Sequence, residues 1–235
     1  VVGKTKQTLC KLFCGQYNSL LGFLFLMFIF RPHTHSDIYL GIWKFLLAVV
    51  CFCAVFNCNH PRSIKIITGI LAVPSIILSW FNLFHNAELV FVANAVVTVV
   101  FLLICTGSIV YDVVVKARVT LETLRGVICA YFMVAFVFGY IYYLIEFITP
   151  GSFQLLQQET FTYFYTQYLS EMLYFSFITL LTIGYGDIVA VKEVGQTAVV
   201  IEGIIGQFYI AILVARLVSV YSFYSDKKLR SIVKE

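Results

Sequence analysis

Apolar residues in this chain run in long blocks, with few polar residues inside them, separated by short polar segments. Seven blocks stand out, at 12–30, 38–58, 64–83, 87–111, 127–148, 169–182 and 195–224. Six of them have about the twenty residues an α-helix needs to cross ~30 Å of hydrocarbon. In lipid every backbone polar group must be satisfied within the segment, so blocks of this length predict helices. Helix ends are marked by Arg31-Pro32, Asn59-His60-Pro61 and Thr149-Pro150-Gly151, because proline disfavours helix at the residue before it. Pro74 predicts a kink inside the third block. Block 169–182 is too short to cross, and reads as a helix that enters the membrane and returns. No clear cleavage site follows the first block, which reads as a retained helix rather than a signal peptide. The expected fold is an all-α membrane protein, with six transmembrane helices and one re-entrant helix.

Composition agrees. The 235 residues are 61% hydrophobic and 12% charged, against about 25% charge in a soluble domain. The expected surroundings are membrane lipids. A net charge of +4 comes with no basic block or aromatic-interleaved groove, so nucleic acid is not an expected partner. Cys51, Cys53, Cys105 and Cys129 lie inside apolar blocks as small hydrophobes, and no disulfide or metal framework is expected.

Basic residues sort by side. Lys4, Lys6, Lys11, Arg62, Lys65, Lys116, Arg118, Arg125, Lys227, Lys228, Arg230 and Lys234 fall on one side; Arg31, Lys44 and Lys192 fall on the other. That asymmetry places both termini in the cytoplasm of a cell that carries the chain in its plasma or inner membrane. Trp43 and the tyrosines near helix ends read as aromatic belts. Residues 112–126 mix valines and leucines with Lys116, Arg118, Glu122 and Arg125. They fit an amphipathic linker on the inner face or an extension of the fourth span, and both readings stay open. Between Glu88 and Tyr111 there is no arginine or lysine. Each gating charge is worth ~2.3 kcal/mol per 100 mV, so steep voltage gating by the fourth span is excluded.

The candidate chemistry lies at Thr182-Ile183-Gly184-Tyr185-Gly186-Asp187, between the short block and the last span. Glycines at alternate positions let the chain hold angles that point successive carbonyls the same way. Such carbonyls, with the threonine hydroxyl, replace the water around a dehydrated ion. One copy cannot enclose an ion, so several chains around one axis are implied.

Over 127–224 the chain resembles the tetrameric potassium channels, and in its span count a small prokaryotic six-transmembrane member without a voltage sensor. The resemblance implies four parts: a four-helix domain over 1–111, a linker over 112–126, a pore domain over 127–224 and a cytoplasmic tail over 225–235. Within the pore domain it implies an outer helix at 127–148, a pore helix at 169–181, a filter at 182–187 and an inner helix at 195–224. A homotetramer would then pass K+ passively, without a cofactor.

Thr182, Ile183, Gly184 and Tyr185 would coordinate K+, Gly186 would shape the outer mouth, and Asp187 would anchor it. The Ile183 and Tyr185 side chains would pack behind the loop as a cuff. Tyr174 and Phe175 would buttress the filter, and Glu171 would sit near the positive start of the pore helix. Some family members carry a carboxylate where this chain has Ile178. Glu202, an intramembrane carboxylate, is expected as a hydrogen-bonding strut behind the filter. Gly206 falls where the family has its hinge glycine, and both hinge and close packing stay open. Gln207, Ile210, Val214 and Val218 would line the inner pathway and its gate. The competing readings are a weakly selective cation channel and a non-conducting scaffold or regulatory subunit. An enzyme is not expected, since no catalytic pattern or nucleotide loop stands out.

Overall fold

The computed structural model describes residues 17–29, 39, 42–43, 45–49, 62–84, 88–115, 121–155 and 165–232, and most of these described residues are helical. In order these form α1 (Asn18–Ile29), α2 (Arg62–Phe84), α3 (Glu88–Val115), α4 (Leu121–Ile148), β1 (Phe153–Leu155), α5 (Tyr165–Leu180), β2 (Ile188–Ala190) and α6 (Glu193–Ile232). Among the described residues three helices are long and apolar enough to cross a membrane, over Val90–Tyr111, Leu124–Ile148 and Glu193–Ala215. Shorter apolar stretches occur at Leu20–Ile29 in α1 and Lys65–Phe81 in α2. Most of the expected span at 38–58 lies outside the described residues, although 42–43 and 45–49 are helical.

Several boundaries differ from the hydrophobic pattern. Residues 112–115 continue α3 and 121–126 open α4, while 116–120 lie outside the described residues. α6 continues past Tyr224 to Ile232, through Asp226, Lys227 and Lys228. Pro74 is accommodated within α2, whose helix runs on either side of it. α5 starts at Tyr165, four residues before the apolar block, so Glu171 lies in its second turn and its first turn holds no acidic residue. The expected pairing of Glu171 with the amino end of the helix is corrected by that geometry.

α4 is the centre of the molecule and packs against α1, α3, α5 and α6. Gly139 lets α5 come close: a Cβ there would meet Leu173 Cδ2 at 2.6 Å and Leu173 Cα at 3.0 Å. Between α2 and α3 runs a polar seam. Ser79 Oγ lies 2.7 Å from the Ser75 carbonyl and 3.3 Å from Asn94 Oδ1, and Thr98 donates to the Asn94 carbonyl at 2.7 Å. Such hydroxyls satisfy one another between helices where lipid offers no partner. Trp43 does not sit on an aromatic belt. It is buried, donates from Nε1 to the Met27 carbonyl at 3.0 Å, and packs 5.8 Å from the Phe136 ring. A buried indole needs such a partner for its N–H.

Candidate functional site

The site begins where α5 stops. Thr182 donates its backbone N–H to the Thr179 carbonyl at 2.9 Å, and Ile183 donates to the Ile178 carbonyl at 2.8 Å. Together these two bonds close a Schellman motif, which ends a helix by turning one residue left-handed. That residue is Thr182, with φ of 56°. Glycine normally takes this place, because a Cβ at positive φ crowds the following carbonyl. A β-branched residue there is strained, and strain of this kind persists only where surrounding contacts impose it.

The left-handed state then recurs at every second residue. Gly184 has φ of 57° and Gly186 has φ of 77°, while Ile183 and Tyr185 between them are not at positive φ. In a strand successive carbonyls point to opposite sides. Alternating the sign of φ is what allows neighbouring carbonyls of such a loop to turn toward one side. A row of carbonyls with no side chain in front of it is the chemistry that strips and replaces ion hydration.

The outer limb is pinned at several points. Tyr174 of α5 donates to Asp187 Oδ2 at 2.8 Å, and Asp187 Oδ1 accepts the Ile188 N–H at 3.1 Å. β2 then pairs antiparallel with β1, with Phe153 opposite Ala190 and Leu155 opposite Ile188. β1 is held in turn by Glu146 at the end of α4, whose carboxylate accepts the N–H groups of Gly151, Ser152 and Phe153 at 2.6, 2.8 and 3.0 Å. Lys192 adds a bond from Nζ to the Pro150 carbonyl at 2.6 Å. Phe175 packs into a buried aromatic group with Tyr142 and Phe153, at ring distances of 5.3 and 5.5 Å.

Among the described residues of one chain the expected cuff is not formed. Tyr185 is 71% exposed and Ile183 is 45% exposed. Beside the loop lies an open hollow of about 490 Å³, lined by Thr179, Thr182, Gly184, Gly186, Val199 and Val200 among others. Among the described residues, none covers the loop side chains or closes this hollow.

On α6, Gly206 faces the end of α5. A Cβ at Gly206 would meet Leu180 Cδ1 at 2.9 Å and the Leu180 carbonyl at 3.1 Å, so this glycine serves close packing. The same carbonyl accepts the Tyr131 hydroxyl at 2.7 Å. Gln207, Ile210 and Val214 are exposed along one side of α6, and the side chain of Val218 lies outside the described residues. Glu202 is fully buried and accepts hydrogen bonds from Tyr142 and Ser176. Neither hydroxyl stood out in the sequence. Tyr142 is one of fifteen tyrosines, and Ser176 sits inside an apolar block with no spacing that links it to Glu202.

Residues 126–223 match a family model described as an ion channel. The match spans α4 from its sixth residue, α5, the loop at 181–187 and α6 as far as residue 223. This part of the chain is therefore supported as an ion channel domain of a membrane protein, which points to transport rather than catalysis. No curated protein and no solved structure matches the chain.

Proposed function

We propose that this protein is a potassium-selective channel, in which four copies surround one pore and pass K+ passively down its electrochemical gradient. One observation carries the reading: the left-handed residues at 182, 184 and 186 alternate along a loop that leaves a buried helix and leads into a long apolar one. That backbone offers carbonyls in a row, and Thr182 offers a hydroxyl at its inner end. The bare Tyr185 and Ile183 side chains and the open hollow beside them support the fourfold arrangement, because neighbouring copies would cover both. In this arrangement Thr182, Ile183, Gly184 and Tyr185 coordinate K+, with Gly186 and Asp187 at the outer mouth. Gln207, Ile210, Val214 and Val218 line the inner path. The chain crosses the membrane six times with both termini in the cytoplasm, and its fourth span senses no voltage.

Purified protein in lipid vesicles, with K+ on one side and Na+ on the other, tests the proposal. A reversal potential close to that of K+ is expected. Equal permeability to the two ions rejects potassium selectivity, and absence of any flux favours the scaffold reading.

A further inference from the structure

Behind the filter a polar cluster ties three helices together at one depth. Glu202 of α6 has no exposed surface, and its carboxylate accepts from Tyr142 of α4 and Ser176 of α5. Ser176 is also fully buried, with Oγ 2.7 Å from the Ala135 carbonyl of α4. The rings of Phe153 and Phe175 stand 5.2 and 5.3 Å from Tyr142 and exclude water from that side. A carboxylate enclosed in this way is costly unless its hydrogen bonds are made, so the three side chains hold one another in place.

The location of Ser176 gives the cluster a second role. Two residues after it comes Ile178, whose carbonyl receives the N–H groups of Ile183 at 2.8 Å and Gly184 at 3.4 Å. Two residues before it comes Tyr174, which holds Asp187 at 2.8 Å. α5 therefore grips the inner and outer ends of the loop, and α6 grips α5 between those two points. One helical turn beyond Glu202, Gly206 rests against Leu180, the last residue of α5. Displacing Ser176 moves the carbonyl on which the inner end of the loop is hung.

We propose that Glu202, Ser176 and Tyr142 are positioning residues of the ion filter: from behind the pore they set where α5 holds the filter carbonyls, and thereby how sharply K+ is separated from Na+. The inference rests on the potassium-channel reading and adds to it the residues that tune selectivity without touching the ion. Selectivity depends on the spacing and field of the carbonyl rings, so a displaced pore helix acts on it directly.

The test uses the full chain in lipid vesicles, with reversal potentials under K+/Na+ gradients and the K+ dependence of the thermal dissociation of the assembly. Ser176→Ala is expected to lower the K+/Na+ permeability ratio about tenfold while conduction persists, the scale of one lost hydrogen bond to a charged group. Ser176→Thr, which keeps the hydroxyl, is expected to restore it. Glu202→Gln should lie between wild type and Ser176→Ala, and Tyr142→Phe should act in the same direction. A merely structural role would lower the dissociation temperature equally at all K+ concentrations and leave the permeability ratio alone. An unchanged ratio in Ser176→Ala and Tyr142→Phe assemblies overturns the inference, whether or not Glu202 variants assemble. Wild-type protein passing K+ and Na+ alike defeats the channel reading instead, which keeps the two failures apart.

Discussion

α4 and α6 are both long, apolar enough to cross a membrane, and largely within the stretch that matches the ion channel family model, yet the chain treats them in opposite ways. Of the candidate span in α4, 61% is buried inside the molecule; of that in α6, only 11% is. α4 is the hub against which most other helices pack. α6 touches its own chain along one strip, which includes Gly195, Glu202 and Gly206, and leaves Val200, Ile204, Phe208 and Ile212 bare at four-residue steps. Apolarity alone records that a helix avoids water. It does not say whether lipid, its own chain or another copy does the covering.

The strongest test of this contrast removes one aromatic ring from each helix. Phe136 in α4 is 1% exposed and Phe208 in α6 is 64% exposed. Phe136→Ala should cost about 3–5 kcal/mol and be seen as loss of folded protein in detergent. Phe208→Ala should leave the fold of the single chain intact and weaken only its assembly, read by cross-linking or native mass measurement. A comparable loss of folded monomer from both variants would break the contrast.

Gly206→Ala is the next largest effect. The new Cβ would press on Leu180 at 2.9 Å, and overpacking of this kind costs about 1–3 kcal/mol. Thermal dissociation should fall accordingly. A hinge role alone would change gating and leave that temperature in place.

Thr182→Gly separates stability from function. Glycine relieves the left-handed strain at φ of 56°, worth about 1–2 kcal/mol. The assembly should therefore become more heat-resistant while K+/Na+ selectivity falls, because the hydroxyl is gone. Thr182→Ser should keep the selectivity. The smallest effect is expected from Tyr174→Phe, which deletes the 2.8 Å bond to Asp187 and should cost about 1 kcal/mol. Its readout is filter stability during prolonged recording.

Much of this arrangement was legible in the residues. Block length revealed α3, α4 and α6, since the thickness of a membrane imposes a minimum run. The glycines at 184 and 186 announced two of the three left-handed positions in the loop at 181–187, because only glycine adopts that state freely. Thr182 stood out as a candidate ligand but not as left-handed; its hand follows from the two backbone bonds that end α5. Helix ends were less visible where apolarity and helicity part. Tyr165 to Tyr168 open α5 with polar and aromatic residues, and past Asp226 the good helix formers Lys227, Lys228, Leu229 and Arg230 continue α6 where no membrane requires it.

What the sequence determined by itself is local: which stretches need lipid, which backbone positions tolerate a left-handed turn, and that Glu202 needs a partner. What only the tertiary structure decided is which surfaces meet. Tyr142 and Ser176 lie 60 and 26 residues from Glu202 in the chain, and Gly206 finds Leu180 across two helices. Such pairings arise from how helices cross and pack, and a one-dimensional pattern of apolar and polar residues carries no record of that geometry.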